Sequence, residues 1–573
     1  MNPGTFGTPE PPEPSEPSEP RNSGTSGLFV VVLASILVLP WHASNHRLPH
    51  FDAADFAITA MEIERSAETG VIEGLSAAYN HRGWRPVLFP ALGAPFFALA
   101  GGSLRAGIAL TQFALVLVIG LYTLALARRY LPSGRALIAV AFILSLPWLI
   151  YFSMVFYAEL AWIAFTAGWV YHTVASSGFR ARRHTILSGV LLALMVCVRP
   201  IESVIVTTPA MMLFGWLAHR RRELQPGGFA LACATAIVVA AAWWAPFLDE
   251  LYAWAHETSF GPLALVTDQR FRGVSVWTLV RDVTSHYAPR QLMMLGVAAT
   301  GLWVWHRGRS RPPLGLVAAG LVMAAPIIAV LMWTGTSSYR RMVPAMFVIF
   351  LGLVVALLHP AWRWPRARTI IMAILAGGQV GLVVLNGFAW RPAWLERTYA
   401  SFSQISPASP TPDVAESIVR TLDAGGVVDG RIATYAWCYY DDFVGCSSRG
   451  MNWFESAALT AAAIAHRSGI RFHFESDLDV GEPARIAAQL RAAGYRYVLL
   501  DLYARDDLRT SQIPYLTVTS GLLAMLARDG HIPGLVPIRR YELGGRIVVL
   551  FEVAPDVVHP PSLESVAVTL MGK

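Results

Sequence analysis

Two aspartates stand three residues apart in the segment PHFDAADFAITAMEI, directly after the first apolar run of the chain. If a helix begins there, the spacing puts the carboxylates of Asp52 and Asp55 on one face of it. Paired carboxylates can deprotonate a hydroxyl group or bind a divalent cation. A simpler alternative is that Asp52 caps the helix and that Asp55 is stabilised near the positive end of the helix.

A second set of ionisable and polar residues stands at the ends of apolar runs. An unpaired charge at the centre of a membrane helix costs about 2.5 to 3.5 kcal/mol, so we expect these side chains to face a polar cavity, the lipid headgroups or one another. Guanidinium groups bind phosphate through two hydrogen bonds, so the arginines of this set could hold a lipid phosphate. The set consists of His81, Arg85, Glu159, Arg199, Tyr339, Arg340 and Arg341.

These residues also have a purely structural interpretation. Glu159 would be stabilised at a helix N-terminus and Arg199 at a helix C-terminus, without any catalytic role. The two arginines after Tyr339 would extend toward lipid headgroups. His81 and Arg85 belong to the segment AYNHRGWRPVLFP. This segment would anchor the chain at the membrane interface.

The elements that position these residues are predicted to be membrane helices. The chain has 573 residues, of which 54% are hydrophobic and 14% charged, and its mean hydropathy is +0.46. Soluble domains carry about 25% charged residues, so the composition excludes an ordinary soluble enzyme. The net charge of +7 comes from arginine clusters between apolar runs, so it indicates membrane topology and no nucleic-acid partner.

Five arginine clusters set the predicted topology, because basic loops stay on the cytoplasmic side of a membrane. Each of the four intervals between clusters has room for two crossings, and the spans 28–41, 106–127 and 369–390 bring the total to eleven. An odd number of spans places the two chain ends on opposite faces. The apolar stretch 87–100 is too short to cross and is expected to dip into the outer leaflet or to lie on it. The predicted spans are 28–41, 106–127, 136–150, 158–175, 185–198, 201–217, 229–248, 291–305, 314–334, 343–358 and 369–390.

One interval tests this topology. A single helix over residues 185–217 would be roughly 50 Å long at about 1.5 Å per residue, whereas the hydrocarbon core is about 30 Å thick. The helix must therefore break, and the pair Arg199-Pro200 is where proline allows it.

The sequence predicts three parts. Residues 1–26 form a Pro/Glu/Ser-rich disordered tail in the cytoplasm. Residues 27–390 form the polytopic membrane domain, with outer loops 44–105 and 249–290. Residues 391–573 form a soluble extracytoplasmic α/β domain, with strands at 431–436 and 495–502, a helix at 484–493, and a hairpin that joins 541–543 to 546–553. Cys438 and Cys446 stand in this last part, and their pairing is left open.

Five segments, in this order, resemble the GT-C superfamily of integral-membrane glycosyltransferases. The resemblance covers about residues 28–390 and is strongest for the branch of protein O-mannosyltransferases and bacterial lipopolysaccharide and lipid A sugar transferases. The segments are FDAADFAITA in the first loop, the proline-rich WRPVLFPALGAPFFALAGG, FYAELAWIAF, LALMVCVRPIES and SSYRRMVPAMFVIF.

The resemblance implies a fold and an activity. The fold would be a GT-C-like bundle of about eleven transmembrane helices with a C-terminal extracytoplasmic α/β domain. The enzyme would move a hexosyl or pentosyl group from a polyprenyl-phosphate donor to a lipid, glycan or protein acceptor of the cell envelope. The reaction would take place at the outer face of the inner (plasma) membrane, and no glycine-rich nucleotide loop is evident for a nucleotide-sugar donor.

The resemblance also implies roles for individual residues. Asp52 would be the general base. Ala53 stands where the family often has a glutamate, so either Asp55 takes that place or a divalent metal ion is not bound. Arg199 and the Arg340–Arg341 pair would hold the donor phosphate, and Glu159 would orient an arginine or the sugar.

Two other classes compete with the transferase. A lipid or solute transporter, including a flippase, would also use broken membrane helices. Against it, the chain shows no inverted repeat, the predicted span count is odd, and the polar residues gather at one face. A noncatalytic assembly or receptor protein is the second alternative, and it should tolerate replacement of Asp52.

Overall fold

The computed structural model describes most of the membrane part and much of the C-terminal part. The described residues are 23–44, 52–80, 86–260, 315–334, 339–360, 365–387, 414–424, 426–427, 429–435, 456–473, 478–502, 514–543, 546–561, 563 and 568–570. The predicted span 291–305, the outer-loop residues 261–290, and the pair Cys438 and Cys446 lie outside them.

The membrane part is built almost entirely of helices. They are α1 Ser23–Ser44, α2 Asp52–Thr69, α3 Val71–Asn80, α4 Leu88–Leu99, α5 Leu104–Arg128, α6 Ser133–Leu144, α7 Pro147–Met154, α8 Ala158–Ala175, α9 Arg182–Val198, α10 Pro200–Arg220, α11 Pro226–Trp244, α12 Leu248–Phe260, α13 Gly315–Thr334, α14 Val343–Leu358 and α15 Pro365–Gly387. Short 3₁₀ turns, Ala245–Phe247 and Tyr339–Met342, precede α12 and α14.

Several of these helices are long and apolar enough to span a membrane. Within the described residues six helices meet this criterion, or seven when α6 and α7, bent by 58° at Ser145-Leu146, are taken as one span. Every predicted span except 291–305 overlaps a described helix, but the total of eleven stays a prediction. The chain is thus a multi-pass helical membrane protein.

The predicted break between α9 and α10 is confirmed. α9 ends at Val198 and α10 begins at Pro200, with Arg199 in a non-helical conformation between them (φ −144°, ψ 84°). The stretch predicted not to cross forms only the 12-residue helix α4, which at about 1.5 Å per residue is near 18 Å long. It packs against α2 and α5.

The C-terminal part is an α/β domain, as predicted. Its elements are α16 Val414–Ala424, β1 Asp429–Tyr435, α17 Ser456–Ala465, β2 Gly469–His473, α18 Pro483–Ala492, β3 Tyr495–Asp501, α19 Pro514–Asp529, β4 Leu535–Leu543, β5 Arg546–Val553 and β6 Val568–Leu570. The six strands form one sheet in the order β2-β1-β3-β5-β4-β6. β1 runs parallel to β2 and β3, and β5 pairs antiparallel with β3 and β4. Apolar clusters cover both faces of the sheet.

The second half of α2 carries a buried acid. Glu64 is 8% exposed, and burial together with the neighbouring carboxylate of Glu68 raises the pKa of its carboxyl group, although Arg65 and Arg467 act in the opposite direction. The folded protein therefore binds this proton more tightly than the unfolded chain does. The resulting stabilisation is complete below the ordinary pKa and is lost as the pH rises through the raised pKa.

This shift leads to a pH-dependent stability. We expect the melting temperature of the detergent-solubilised protein to fall as the pH rises from about 4.5 through the raised pKa of Glu64. In Glu64→Gln the side chain stays neutral at every pH, so the part of this fall that is due to Glu64 should disappear. Thermal melts of the wild type and Glu64→Gln at matched pH values test this. Parallel pH profiles for the two proteins would contradict it.

Candidate active site

Three interruptions between helices meet at one end of the membrane bundle. Glu159 lies in the first turn of α8, Arg199 lies between α9 and α10, and the Arg340–Arg341 pair lies in the 3₁₀ turn before α14. The arginine clusters at 180–183 and 220–222 flank the other ends of α8, α9 and α10. The site therefore lies at the end of the bundle opposite the basic loops.

Glu159 is the centre of this arrangement. Its carboxylate is 1% exposed, and Oε1 accepts a hydrogen bond from Nη2 of Arg199. Nε of Arg340 lies 3.8 Å from the same Oε1. The two guanidinium side chains are only partly covered, with 22% and 25% exposed, so both keep surface for a ligand.

A second ion pair lies beside the first. Nε of Arg341 is 3.7 Å from Oε1 of Glu202, which lies in the first turn of α10. The guanidinium of Arg340 also covers the ring of Tyr157, at 4.8 Å from the ring centroid. This cation–π contact fixes the direction of an otherwise flexible side chain.

The electrostatics of the cluster favour an anion. Three guanidinium groups face two carboxylates, which leaves one net positive charge. The N-termini of α8 and α10 also meet here, and each carries a partial positive charge. Oε2 of Glu159 is buried and has no hydrogen-bond partner within the described part of the chain. A ligand with both an anionic group and a hydroxyl donor matches these features.

Hydrogen bonds from side chains hold the interruptions in place. Oγ of Ser203 donates to the carbonyl of Met195 at 2.7 Å, across the break between α9 and α10. Nε1 of Trp244, on α11, donates to the carbonyl of Val196 at 3.2 Å. Nε2 of Gln112, on α5, donates to the carbonyl of Val155 at 2.6 Å, just before α8. Among these acceptors, the carbonyl of Val196 would otherwise lack its helical partner, because Pro200 has no N–H, and Trp244 satisfies it.

An aromatic path connects α2 with this cluster. Phe56 lies one position after Asp55 and meets the ring of Phe89 at 5.5 Å between centroids. The ring of Phe89 meets that of Phe156 at 4.6 Å. Phe156 is followed directly by Tyr157, which lies under the Arg340 guanidinium. The helix that carries the two aspartates is therefore linked, through α4, to the segment that leads into α8 and its Glu159.

The predicted site residues fall into three groups. The structure brings Glu159, Arg199 and the Arg340–Arg341 pair together. Asp52 is the first residue of α2, and Asp55 follows on the same helix, partly buried and engaged in an interaction. The remaining predictions lie outside the described residues: His81 and Arg85 entirely, and the side chains of Asp52 and Tyr339.

Two residues of the site, Tyr157 and Glu202, had no role assigned to them from the sequence. Both stand beside predicted residues, in FYAEL and RPIES. The one sequence feature that marks them is that each lies within one helical turn of a predicted charged residue. Polar and aromatic residues are often found at such positions, so this feature does not single them out. In the described part of the chain no three His, Cys, Asp or Glu side chains come together as metal ligands.

Comparisons with solved structures identify the fold. The chain superposes on ArnT from Cupriavidus metallidurans in the apo state with a TM-score of 0.55 at 13% identity, covering 94% of this chain and 100% of that one. The structure of ArnT bound to undecaprenyl phosphate gives a TM-score of 0.52 at 14% identity with the same coverage. A mutant of arabinofuranosyltransferase AftD from Mycobacteria gives 0.51 at 16% identity, covering 92% of this chain and 41% of that one.

These likenesses confirm the predicted GT-C fold. No protein-family model matches the chain, and no curated protein matches it in sequence.

Proposed function

We propose that this protein is a membrane glycosyltransferase that moves a sugar from a polyprenyl-phosphate donor to a hydroxyl group of a cell-envelope acceptor. The observation that carries the proposal is the arginine cluster around buried Glu159, which favours an anion at the end of the bundle opposite the basic loops. The fold adds support, because it is shared with ArnT, solved with undecaprenyl phosphate bound. The donor phosphate would bind to Arg199, Arg340 and Arg341.

The proposed reaction follows from the charges at the site. The acceptor oxygen attacks the anomeric carbon while the bond between that carbon and the phosphate oxygen breaks, with inversion of configuration. Negative charge grows on the leaving phosphate, and the three guanidinium groups stabilise it most when it is fully developed. The acceptor proton passes to the carboxylate of Asp52 and then to solvent. The products are the glycoside and free polyprenyl phosphate.

Glu159 has two proposed roles. Its bonded oxygen orients Arg199 and Arg340, and its unpartnered oxygen would accept a hydrogen bond from a hydroxyl group of the donor sugar. A buried hydrogen-bond acceptor without a partner destabilises a protein by about 1 to 3 kcal/mol. A hydrogen bond from the sugar to Oε2 of Glu159 would remove this destabilisation. It would also discriminate between sugars by the position of that hydroxyl.

The proposal includes the placement of the chain. Residues 27–390 would form the membrane domain in the inner membrane, with the N-terminus in the cytoplasm. Residues 391–573 would lie on the extracytoplasmic side with the acceptor. Hexosyl and pentosyl donors, and lipid, glycan and protein acceptors, all belong to the proposed class.

The defining experiment uses purified protein in liposomes. It is incubated with a panel of polyprenyl-phosphate sugars and cell-envelope extract, with and without chelator, and the release of polyprenyl phosphate is measured. Release by the wild type but not by Asp52→Asn supports the proposal, and the best donor identifies the sugar. Folded protein that releases no polyprenyl phosphate from any donor would favour the transporter alternative.

Removing one phosphate-binding arginine should weaken transfer. We expect Arg341→Gln to lower kcat/KM for the donor by roughly 10- to 100-fold, because a hydrogen bond to a charged group contributes about 1.5 to 3 kcal/mol. Steady-state kinetics over a range of donor concentrations measure this. Arg220→Gln is the matched control, since that arginine lies at the far end of α10 and covers the ring of Trp216. Equal losses in the two variants would argue against a phosphate site at Arg341.

A further inference from the structure

Helix α17 of the C-terminal domain has two buried faces. Leu459, Ala462 and Ala463 belong to the apolar cluster on one face of the sheet. Ala461 and Ile464, which are 0% and 1% exposed, belong instead to the large cluster of the membrane part, together with Ala57 and other residues of α2. A helix of a self-contained domain needs only one apolar face. The second face of α17 therefore serves the contact with the membrane part.

The C-terminus of α17 is held by a side chain of α2. The guanidinium of Arg65 donates a hydrogen bond to the carbonyl of Ile464, one of the last carbonyls of the helix. The arginine thereby adds a second hydrogen bond to a carbonyl that the backbone also bonds, and its positive charge faces the negative end of the helix dipole. A carboxylate of α2 also pairs with the loop that follows, because Nη2 of Arg467 lies 3.5 Å from Oε1 of Glu68.

The backbone after α17 gives independent support for this contact. Arg467 has φ +57°, the left-handed region where helices usually place glycine. Its N–H donates to the carbonyl of Ile464 at 2.8 Å, and the next N–H, of Ser468, donates to the carbonyl of Ala463 at 2.9 Å. These two bonds form the usual turn that ends a helix, with an arginine in the strained position. The side chain that occupies this position is the one that reaches Glu68.

The contact acts on the helix that begins with Asp52. Arg65 lies 13 residues after Asp52, about 20 Å along the axis at 1.5 Å per residue. The aromatic contacts described above hold the first half of α2, and α17 holds the second half. A helix held at both halves keeps its first turn in one orientation.

We infer that α17 is a docking helix through which the C-terminal domain holds α2 in place, so that Ile464 and Arg65 are positioning residues for the general base. The inference rests on the proposed function, in which Asp52 accepts the acceptor proton. Misplacing a general base by a fraction of its hydrogen-bond length impairs proton transfer, whereas the donor phosphate binds to helices that α17 does not hold. Loss of the contact should therefore lower kcat and leave the donor KM unchanged.

The test uses three variants and one matched control in the full-length protein in liposomes. Ile464→Ala removes the docking side chain, Arg65→Gln removes the charge at the end of α17, and Arg65→Lys keeps that charge. Leu522→Ala is the control, because Leu522 is buried on α19 against the other apolar cluster of the sheet. Two readouts are measured: hydrogen exchange of the α2 amides, and kcat with the donor KM.

We expect Ile464→Ala and Arg65→Gln to lower kcat by roughly 10- to 100-fold with an unchanged donor KM, and to speed exchange at the α2 amides. Arg65→Lys should recover part of both effects, and Leu522→Ala should leave α2 exchange at the wild-type rate. Unchanged α2 exchange in Ile464→Ala would overturn the inference, whatever happens to kcat. Wild-type protein that transfers no sugar would refute the proposed function alone, because exchange would still report whether α17 holds α2.

Discussion

Replacing Asp52 by asparagine should lower turnover by roughly 10²- to 10⁴-fold, which is the contribution of a general base to a reaction of this kind. Asparagine has nearly the same shape and caps a helix about as well as aspartate, so α2 should still begin at this residue. The amide cannot take the proton from the acceptor hydroxyl. Turnover should therefore fall while donor binding and the melting temperature stay close to the wild type.

Asp55→Asn is the matched control for this prediction. It removes a carboxylate from the same helix, three residues further on, where the side chain is partly buried. Release of polyprenyl phosphate and binding of labelled donor are measured for both variants. A severe loss in Asp55→Asn with normal turnover in Asp52→Asn would assign the base to Asp55. Normal turnover in both variants would show that neither aspartate of α2 is the general base.

Breaking the ion pair between Arg199 and Glu159 should lower the stability of the protein more than any other substitution proposed for the site. In Arg199→Gln the carboxylate of Glu159 stays buried, with Nε of Arg340 at 3.8 Å as its remaining cationic neighbour. Leaving a buried charge without its partner costs about 3 kcal/mol or more. We expect the free energy of unfolding of Arg199→Gln to fall by roughly 3 kcal/mol, measured by denaturation in detergent micelles, together with a loss of transfer activity.

A double variant separates the structural part of this effect from the catalytic part. Adding Glu159→Gln to Arg199→Gln removes the stranded charge, so most of the lost stability should return. Activity should not return, because the phosphate contact of Arg199 and the sugar contact of Glu159 are both missing. If activity returned together with stability, the pair would be a structural ion pair only.

Much of the fold follows from local features of the sequence. Pro200 interrupts the helix, so that α9 ends at Val198, because proline lacks the N–H that would bond the carbonyl four residues earlier. Gly494, with φ +83°, ends α18 as its position after the helix predicts. The Gly544-Gly545 pair between 541–543 and 546–553 predicted a hairpin, and these segments belong to the antiparallel pair β4 and β5. Hydropathy and turn chemistry act over a few residues, so one sequence reveals them.

The partners within the site could not be predicted in the same way. The sequence placed Glu159, Arg199 and the Arg340–Arg341 pair at the same end of the bundle, since the basic clusters fix which helix ends share a side. It did not determine that Glu159 lies between two of these arginines or that Arg341 pairs with Glu202. Forty residues separate Glu159 from Arg199, and only the packing of α8, α10 and α14 sets their distance.

The second face of α17 shows the same limit. The segment SAALTAAAIA is apolar nearly all round, so its sequence indicates burial without naming what covers each side. By itself the sequence determined the membrane class, the helix ends that carry charge, and the strands of the α/β domain, because each depends on neighbouring residues. Only the tertiary structure decided which charges pair and that the C-terminal domain contacts α2, because both depend on contacts between residues far apart in the chain.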